Sequence, residues 1–171
     1  VDIAINVQAS ELPRLESNPN IIIHRRDASS TNFLAFTCNK APMDNVKFRQ
    51  AINMGINKQA ILEVVYQNTG KVATGPMSPN IWAFNENLPQ VEYNPAKAKE
   101  LLAEAGYPDG VKISITSNED QTRLDIAEMV QAQLGEIGVE VEIITLEWGA
   151  FIEKVYVGGM EMFGLGWSSE T

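Results

Sequence analysis

The sequence predicts an α/β fold, and three observations carry that prediction. From Val111 onward the apolar residues follow strand, helix, strand, helix and strand patterns in turn, the order that builds a layered sheet with right-handed crossovers. Apolar residues make up 44% of the 171 positions, enough for one hydrophobic core. No apolar run approaches the roughly 20 residues that a membrane-spanning helix needs.

Taken in order, Val1, Ile3, Ile5 and Val7 alternate and predict a first strand. Ser10 offers an N-cap for a short helix that the Asn18-Pro19-Asn20 turn ends, and Ile21 to Arg25 predicts a second strand. Asn32 to Thr37 is rich in aromatic and aliphatic residues and predicts a third, closed by the turn Asn39-Lys40-Ala41-Pro42. Asp44 then stands as cap to a helix bearing Phe48, Ala51, Ile52 and Gly55, and Asn57 starts another with Ile61, Val64 and Val65. Residues 70 to 93 hold Gly70, Gly75, Pro76, Pro79 and Pro89 without periodicity, so a long surface loop is expected. Asn94-Pro95 opens a helix carrying Ala98, Leu101, Leu102 and Ala105, and Gly106 stops it.

In the final part, Val111, Ile113 and Ile115 predict a strand that runs into a polar loop from Ser117 to Thr122. Leu124, Ala127, Val130, Leu134 and Ile137 define a helix stopped by Gly138, and Val139, Val141 and Ile143 define the next strand. Trp148, Phe151, Ile152 and Val155 mark a helix that ends at Gly158-Gly159, and a last strand spans Glu161 to Trp167. Ligands of open α/β sheets bind at the carboxyl ends of strands, which directs attention to the loops after Thr116 and Trp167.

The charge balance narrows the function classes. Acidic residues outnumber basic ones by 22 to 13, and no basic cluster exists to meet a nucleic-acid backbone or an anionic membrane. One histidine, His24, and one cysteine, Cys38, leave no internal disulfide and no Cys/His zinc site. Cys38 reads as a small buried residue. His24 falls inside an alternating strand, which makes a poor catalytic base, and no nucleophile–base pair accompanies it, so no enzyme is expected. The pairs Glu119 with Asp120 and Glu140 with Glu142 read as solvated faces. Gly164-Leu165-Gly166 lacks the context of a phosphate loop and instead suggests close approach of another backbone.

The tryptophans are read separately. Trp148 shares a helical stripe with Phe151 and Ile152 and is expected in the core. Trp82, in the Pro-rich loop, either anchors that loop or faces a ligand. Trp167 ends a strand beside Gly166, Ser168, Ser169 and Glu170, and together an aromatic face, backbone groups and a carboxylate suit a cationic or zwitterionic ligand.

Five stretches in order, LAFTCNKAPMDNVKFRQAINMGINKQAIL, GPMSPNIWAFN, YNPAKAKELLAEAGYPDG, AEMVQAQLGEIGVEVEIITLEWGAF and GLGWSSET, resemble the family-5 extracellular solute-binding proteins, the dipeptide, oligopeptide and glutathione receptors of ABC importers. The resemblance covers nearly the whole chain. It implies a mixed sheet flanked by helices, like a lobe of a type II periplasmic binding protein, with residues 1–171 forming the second of two lobes that close on a ligand. The abrupt start, already strand-like and without an initiating Met, fits an excised piece. The resemblance further implies export to the periplasm or lipid anchoring at the cell surface, and capture of a peptide or similar amine-bearing solute for permease subunits in the membrane, without a cofactor.

For the site, the resemblance implies that Glu170 stands where peptide receptors carry an Asp that pairs with the ligand's α-amino group. Leu165 to Trp167 correspond to the segment whose backbone pairs with an extended peptide. Dipeptide receptors place a carboxylate-binding Arg in the loop matching Ser117 to Thr122, which here contains Asn118 but no Arg; Arg123 lies just beyond it. Peptide-signal receptors and relatives for nickel complexes, haem or sugars share the same lobe and stay open as alternatives.

Overall fold

The computed structural model describes residues 2–5 and 7–168. Its centre is a mixed four-stranded sheet built from β1 (Ser30–Phe36), β2 (Val111–Asn118), β3 (Val139–Leu146) and β4 (Met162–Ser168), in the spatial order β1-β4-β2-β3. β4 runs antiparallel to β1 and parallel to β2, and β2 runs parallel to β3. After a 3₁₀ turn at Ala9–Glu11, the helices are α1 (Leu12–Glu16), α2 (Val46–Gly55), α3 (Lys58–Val64), α4 (Pro95–Glu104), α5 (Gln121–Glu136) and α6 (Trp148–Val157). None is long and apolar enough to cross a membrane.

Helix ends follow local chemistry. Asn57 Oδ1 accepts from Ala60 N at 3.0 Å, Asn94 Oδ1 from Lys97 N at 3.0 Å, and Asp120 Oδ1 from Arg123 N at 3.0 Å, each satisfying a donor that the first turn leaves orphaned. Gly158 ends α6 in the left-handed region at φ 65°. The cap of α2 is Asn45 rather than the expected Asp44: Asn45 is extended and its Oδ1 accepts from Lys47 N and Phe48 N, whereas Asp44 lies in the preceding turn, its N–H donating to Lys40 O. Ser10 likewise falls inside the 3₁₀ turn, and Gln8 takes the extended cap position without a side-chain bond.

The core joins one face of the sheet to α2, α4 and α5. Ile113, Ile115, Val139, Val141 and Met162 meet Phe48, Ile52, Leu102, Val130 and Leu134, all buried. Cross-links between helices are specific: Asn94 N donates to Met54 O at 2.9 Å, and Asn57 N to Gln133 Oε1 at 2.7 Å. α6 covers the opposite face, where the rings of Phe151 and Phe163 meet edge to face at 6.3 Å between centroids. Alternation along β4 explains the split, since Met162 and Phe163 point to opposite sides. Where α5 returns into β3, Gly138 and Gly110 touch backbone to backbone: a Cβ on Gly110, at φ 96°, would stand 2.5 Å from Gly138 O.

Several expectations need correction. Residues 2–5 and Val7 form no strand, nor does Ile21 to Arg25, and Ile3, Ile5 and Ile22 are exposed. Alternation states which face a strand would bury, but a strand forms only against a hydrogen-bonding neighbour, and the described sheet offers these segments none. His24 is therefore an exposed residue outside any strand, and Cys38 is exposed just past β1. The loop expected over Ser117 to Thr122 shrinks to Glu119-Asp120, because β2 continues through Asn118 and α5 begins at Gln121. Glu140 and Glu142 are solvated as expected, flanking Lys112 Nζ at 3.3 and 3.5 Å.

Phe48 is fully buried and its ring meets Tyr107 at 5.4 Å. Phe48→Ala is expected to lower the unfolding free energy by about 3–5 kcal/mol through the cavity it leaves, measured by urea unfolding.

Candidate functional site

The carboxyl ends of β2 and β4 lie at one edge of the sheet, and there the two strands part. β4 pairs with β2 only at Ile115↔Met162 and Thr116↔Phe163. On its other side it stays paired with β1 as far as Ser30↔Ser168. From Gly164 onward the β2-facing edge of β4 carries backbone groups that β2 does not pair, and the crevice between these parallel strands is where the crossover order of the sheet changes direction.

Arg123 stands at this crevice. Capping by Asp120 places it on the first turn of α5, and its Nη1 donates to Asn118 Oδ1 at 2.8 Å. The guanidinium carbon lies 5.7 Å from the centroid of the Trp148 ring, within cation–π range. Its Nη2 would be 3.8 Å from a Cβ on Gly166. Among the described residues Arg123 belongs to no ion pair within 4.0 Å, so its charge is held by a neutral amide and an aromatic face. Trp148 is thus not the core residue its spacing predicts. It is 48% exposed, stacked on Phe151 at 5.8 Å on one account and lying beneath Arg123 on another.

On the β1 side, Asn32 is the register partner of Gly166. Its Nδ2 donates to the Tyr66 hydroxyl at 3.0 Å, and its Oδ1 comes within 2.5 Å of the point a Gly166 Cβ would occupy. The glycine therefore admits the Asn32 side chain, not the second backbone that the Gly164-Leu165-Gly166 pattern suggested. Tyr66 ionises above the usual tyrosine range, chiefly because it is buried and also because Asp120 is negative; the Asn32 hydrogen bond and the charge of Arg123 act in the opposite direction.

The sequence-predicted residues are distributed unevenly. Asn118, Arg123 and Gly166 come together, with Leu165 half-buried on β4 opposite Phe33. Trp167, 67% exposed, and Ser168 end β4 at the same edge. Ser169 and Glu170 lie outside the described residues. Trp82 is 97% exposed on the long loop, and the bonds and ring contacts of the cluster do not include it. Asn32, Tyr66 and Trp148 join the site without a local motif of their own; the one sequence signal near them is the glycine at 166, which marks a close approach without naming what approaches.

Two other features stand apart from the cluster. The Ser117 hydroxyl is buried without a partner among the described residues, on the core face that Ile113 and Ile115 share. An open groove of about 450 Å³ lies between residues 8–10, the end of α3 and α5, lined in part by Gln121, Asp125, Glu128 and Met129. It contains none of Asn32, Tyr66, Asn118 or Arg123, and convergent polar groups, more than volume, mark a recognition site. No three His, Cys, Asp or Glu side chains among the described residues converge to hold a metal ion.

Residues 1–171 match the family model of the bacterial extracellular solute-binding proteins, family 5 Middle. The chain belongs to this family. Heme-binding protein A of Haemophilus influenzae is 34% identical over 177 residues, 99% of this chain and 32% of that protein. Di/tripeptide-binding protein 1 of Pseudomonas aeruginosa is 32% identical over 174 residues, again 99% of this chain and 32% of the relative. Among solved structures, the ABC transporter-associated periplasmic binding protein DppA of Helicobacter pylori, in complex with the peptide STSA, superposes with a TM-score of 0.90 at 34% identity, over 95% of this chain and 31% of that one. The family-5 chain thus spans about a third of the length of these relatives. Its mixed sheet flanked by helices is the type II fold of those binding proteins.

The phenol of Tyr66 supplies a test of this geometry. Burial favours its neutral form in the folded chain, so the stability tied to it is complete below the ordinary value of 10.0 and is lost as pH rises through the raised one. Ultraviolet titration of the protein against Tyr66→Phe should place Tyr66 above 10.0, and Asn32→Ala should move it higher by removing a bond that favours the phenolate.

Proposed function

We propose that this chain is the second lobe of an extracytoplasmic receptor that captures peptides for an ABC importer, and that it has no catalytic role. The observation that carries this reading is the parting of β2 from β4 beyond Phe163. An extended peptide laid along Gly164 to Ser168 can add a strand there, its main chain meeting groups that β2 leaves free, which gives affinity with little dependence on side chains. Arg123, without a carboxylate partner among the described residues, offers a counter-charge for the peptide's carboxylate. Exposed Trp167 and, beyond the described residues, Glu170 suit its α-amino end. The names of the Pseudomonas and Helicobacter relatives support the same ligand class.

Two lobes closing on the solute would make the closed form the one that permease subunits in the membrane recognise, a population shift driven by ligand contacts to both lobes. Such a receptor works outside the cytoplasm, in the periplasm or lipid-anchored at the cell surface. The Haemophilus relative, by its name, favours haem as a second reading.

Native mass spectrometry of the full-length receptor, purified without refolding, separates the two. A bound mass that fits a di- or oligopeptide is expected, and a porphyrin mass with visible absorbance would replace the peptide reading by haem. Glu170→Ala in the full-length receptor should weaken peptide binding by about 2–5 kcal/mol, the range for truncating one partner of a buried charge pair; calorimetry showing unchanged affinity would remove Glu170 from the site.

A further inference from the structure

Asn32 and Tyr66 stand 34 residues apart in sequence and meet through one hydrogen bond at the rim of the crevice. Tyr66 follows α3 and is fixed by a tight turn in which Gln67 and Asn68 both take positive φ, 49° and 56°, while Thr69 N donates to Tyr66 O at 2.8 Å. Residues other than glycine are uncommon in that region, so the turn holds the tyrosine backbone to one exit direction. Asn32 then fixes the side chain. Its amide crosses Gly166, where any Cβ would collide with it, and Arg123 Nη2 comes within 3.8 Å of the same point. Tyr66, Asn32, Gly166, Arg123 and Asn118 form one continuous arc.

The hydrogen-bonding roles within this arc are unequal. Asn32 Nδ2 donates, so the Tyr66 oxygen accepts, and the described hydrogen bonds of Tyr66 leave its own proton for another partner. A half-buried donor beside a cation is complementary to an oxygen acceptor. We propose that Tyr66 is a ligand-reading residue: with Asn32 holding its oxygen, the phenol O–H donates to a carbonyl or carboxylate oxygen of the bound solute beside Arg123. This rests on the peptide reading and adds to it a second, neutral donor for the same end of the ligand. Burial and the negative charge of Asp120 keep the phenol protonated, hence a donor, through the ordinary range of pH. A solute that presents no acceptor at this point would leave the donor unpaired, which is how a polar site rejects analogues.

The test uses the full-length receptor and a pool of alanine di-, tri- and tetrapeptides, with binding followed by calorimetry and by tyrosine ultraviolet difference spectra. Tyr66→Phe keeps the ring and removes only the hydroxyl; it should weaken binding about tenfold, the scale of one hydrogen bond to a charged or partly charged acceptor. Asn32→Ala should weaken binding less and add little on top of Tyr66→Phe, since it acts through the same hydroxyl. Peptide addition should perturb a tyrosine absorption band in the wild type that is missing in Tyr66→Phe, a signal that a purely structural Asn32–Tyr66 contact would not produce. Equal affinity of wild type and Tyr66→Phe, or saturation of the wild type without the tyrosine signal, would overturn the inference and leave the peptide reading standing. A wild-type receptor that binds no member of the pool would overturn both.

Discussion

The short junction between β2 and β4 governs the rest of the structure. β4 is held along its whole length by β1, through seven register pairs from Ser30↔Ser168 to Phe36↔Met162, but it meets β2 at only two. The junction is bounded on its amino-terminal side as well. There the Glu161 carboxylate accepts from Ser114 N at 2.7 Å and from Ser114 Oγ at 2.6 Å, so a side chain satisfies the β2 backbone before β4 arrives. Glu161 O accepts from Thr37 N at 2.9 Å and carries the β1–β4 pairing one step further. Since a buried unpaired backbone group costs as much as a lost hydrogen bond, the sheet compensates at one end of the junction and leaves the other end open where solvent, or a ligand, can do the same work.

That opening explains the placement of the polar groups around it. A guanidinium with no anionic partner among the described residues is tolerated at a crevice rim because water still reaches it, while deep burial would demand a counter-ion. Arg123 is nonetheless ordered, by Asn118 on one side and the Trp148 face on the other. Neither contact cancels its charge, so the orientation is fixed before any ligand arrives and the attraction remains unspent. Pre-ordering of this kind reduces the side-chain entropy that binding would otherwise cost.

What was legible in the sequence was local. Asn57, Asn94 and Gly158 announced helix ends because a cap needs only its own first or last turn, and β2, α5, β3, α6 and β4 followed from periodicity, with β2 and β3 pairing within the same stretch of chain. The strands expected at residues 1–7 and 21–25 depended on partners that periodicity cannot supply, and the described parts of those segments are not strands. The usual burial of free cysteine does not carry over to Cys38, which sits exposed past the end of β1. The helical stripe of Trp148 and Phe151 is real, but as the first residue of α6 Trp148 is half exposed and its indole meets Arg123.

The site was half legible for the same reason. Asn118 and Gly166 stand at the ends of strands, where strand-end reasoning directs attention, and Arg123, five residues past Asn118, followed from the family resemblance. Asn32 and Tyr66 reach the site only through tertiary pairing: β1 must lie antiparallel to β4 in a register that sets Asn32 opposite Gly166, and α3 must deliver Tyr66 to Asn32. A shift of one residue in that register would turn Asn32 to the other face of the sheet and set a residue with a side chain against it. The glycine thus reports on the register, and the register in turn places an amide, a phenol and a guanidinium on one arc. The gathering of polar groups at this edge is a consequence of strand pairing more than of any contiguous motif.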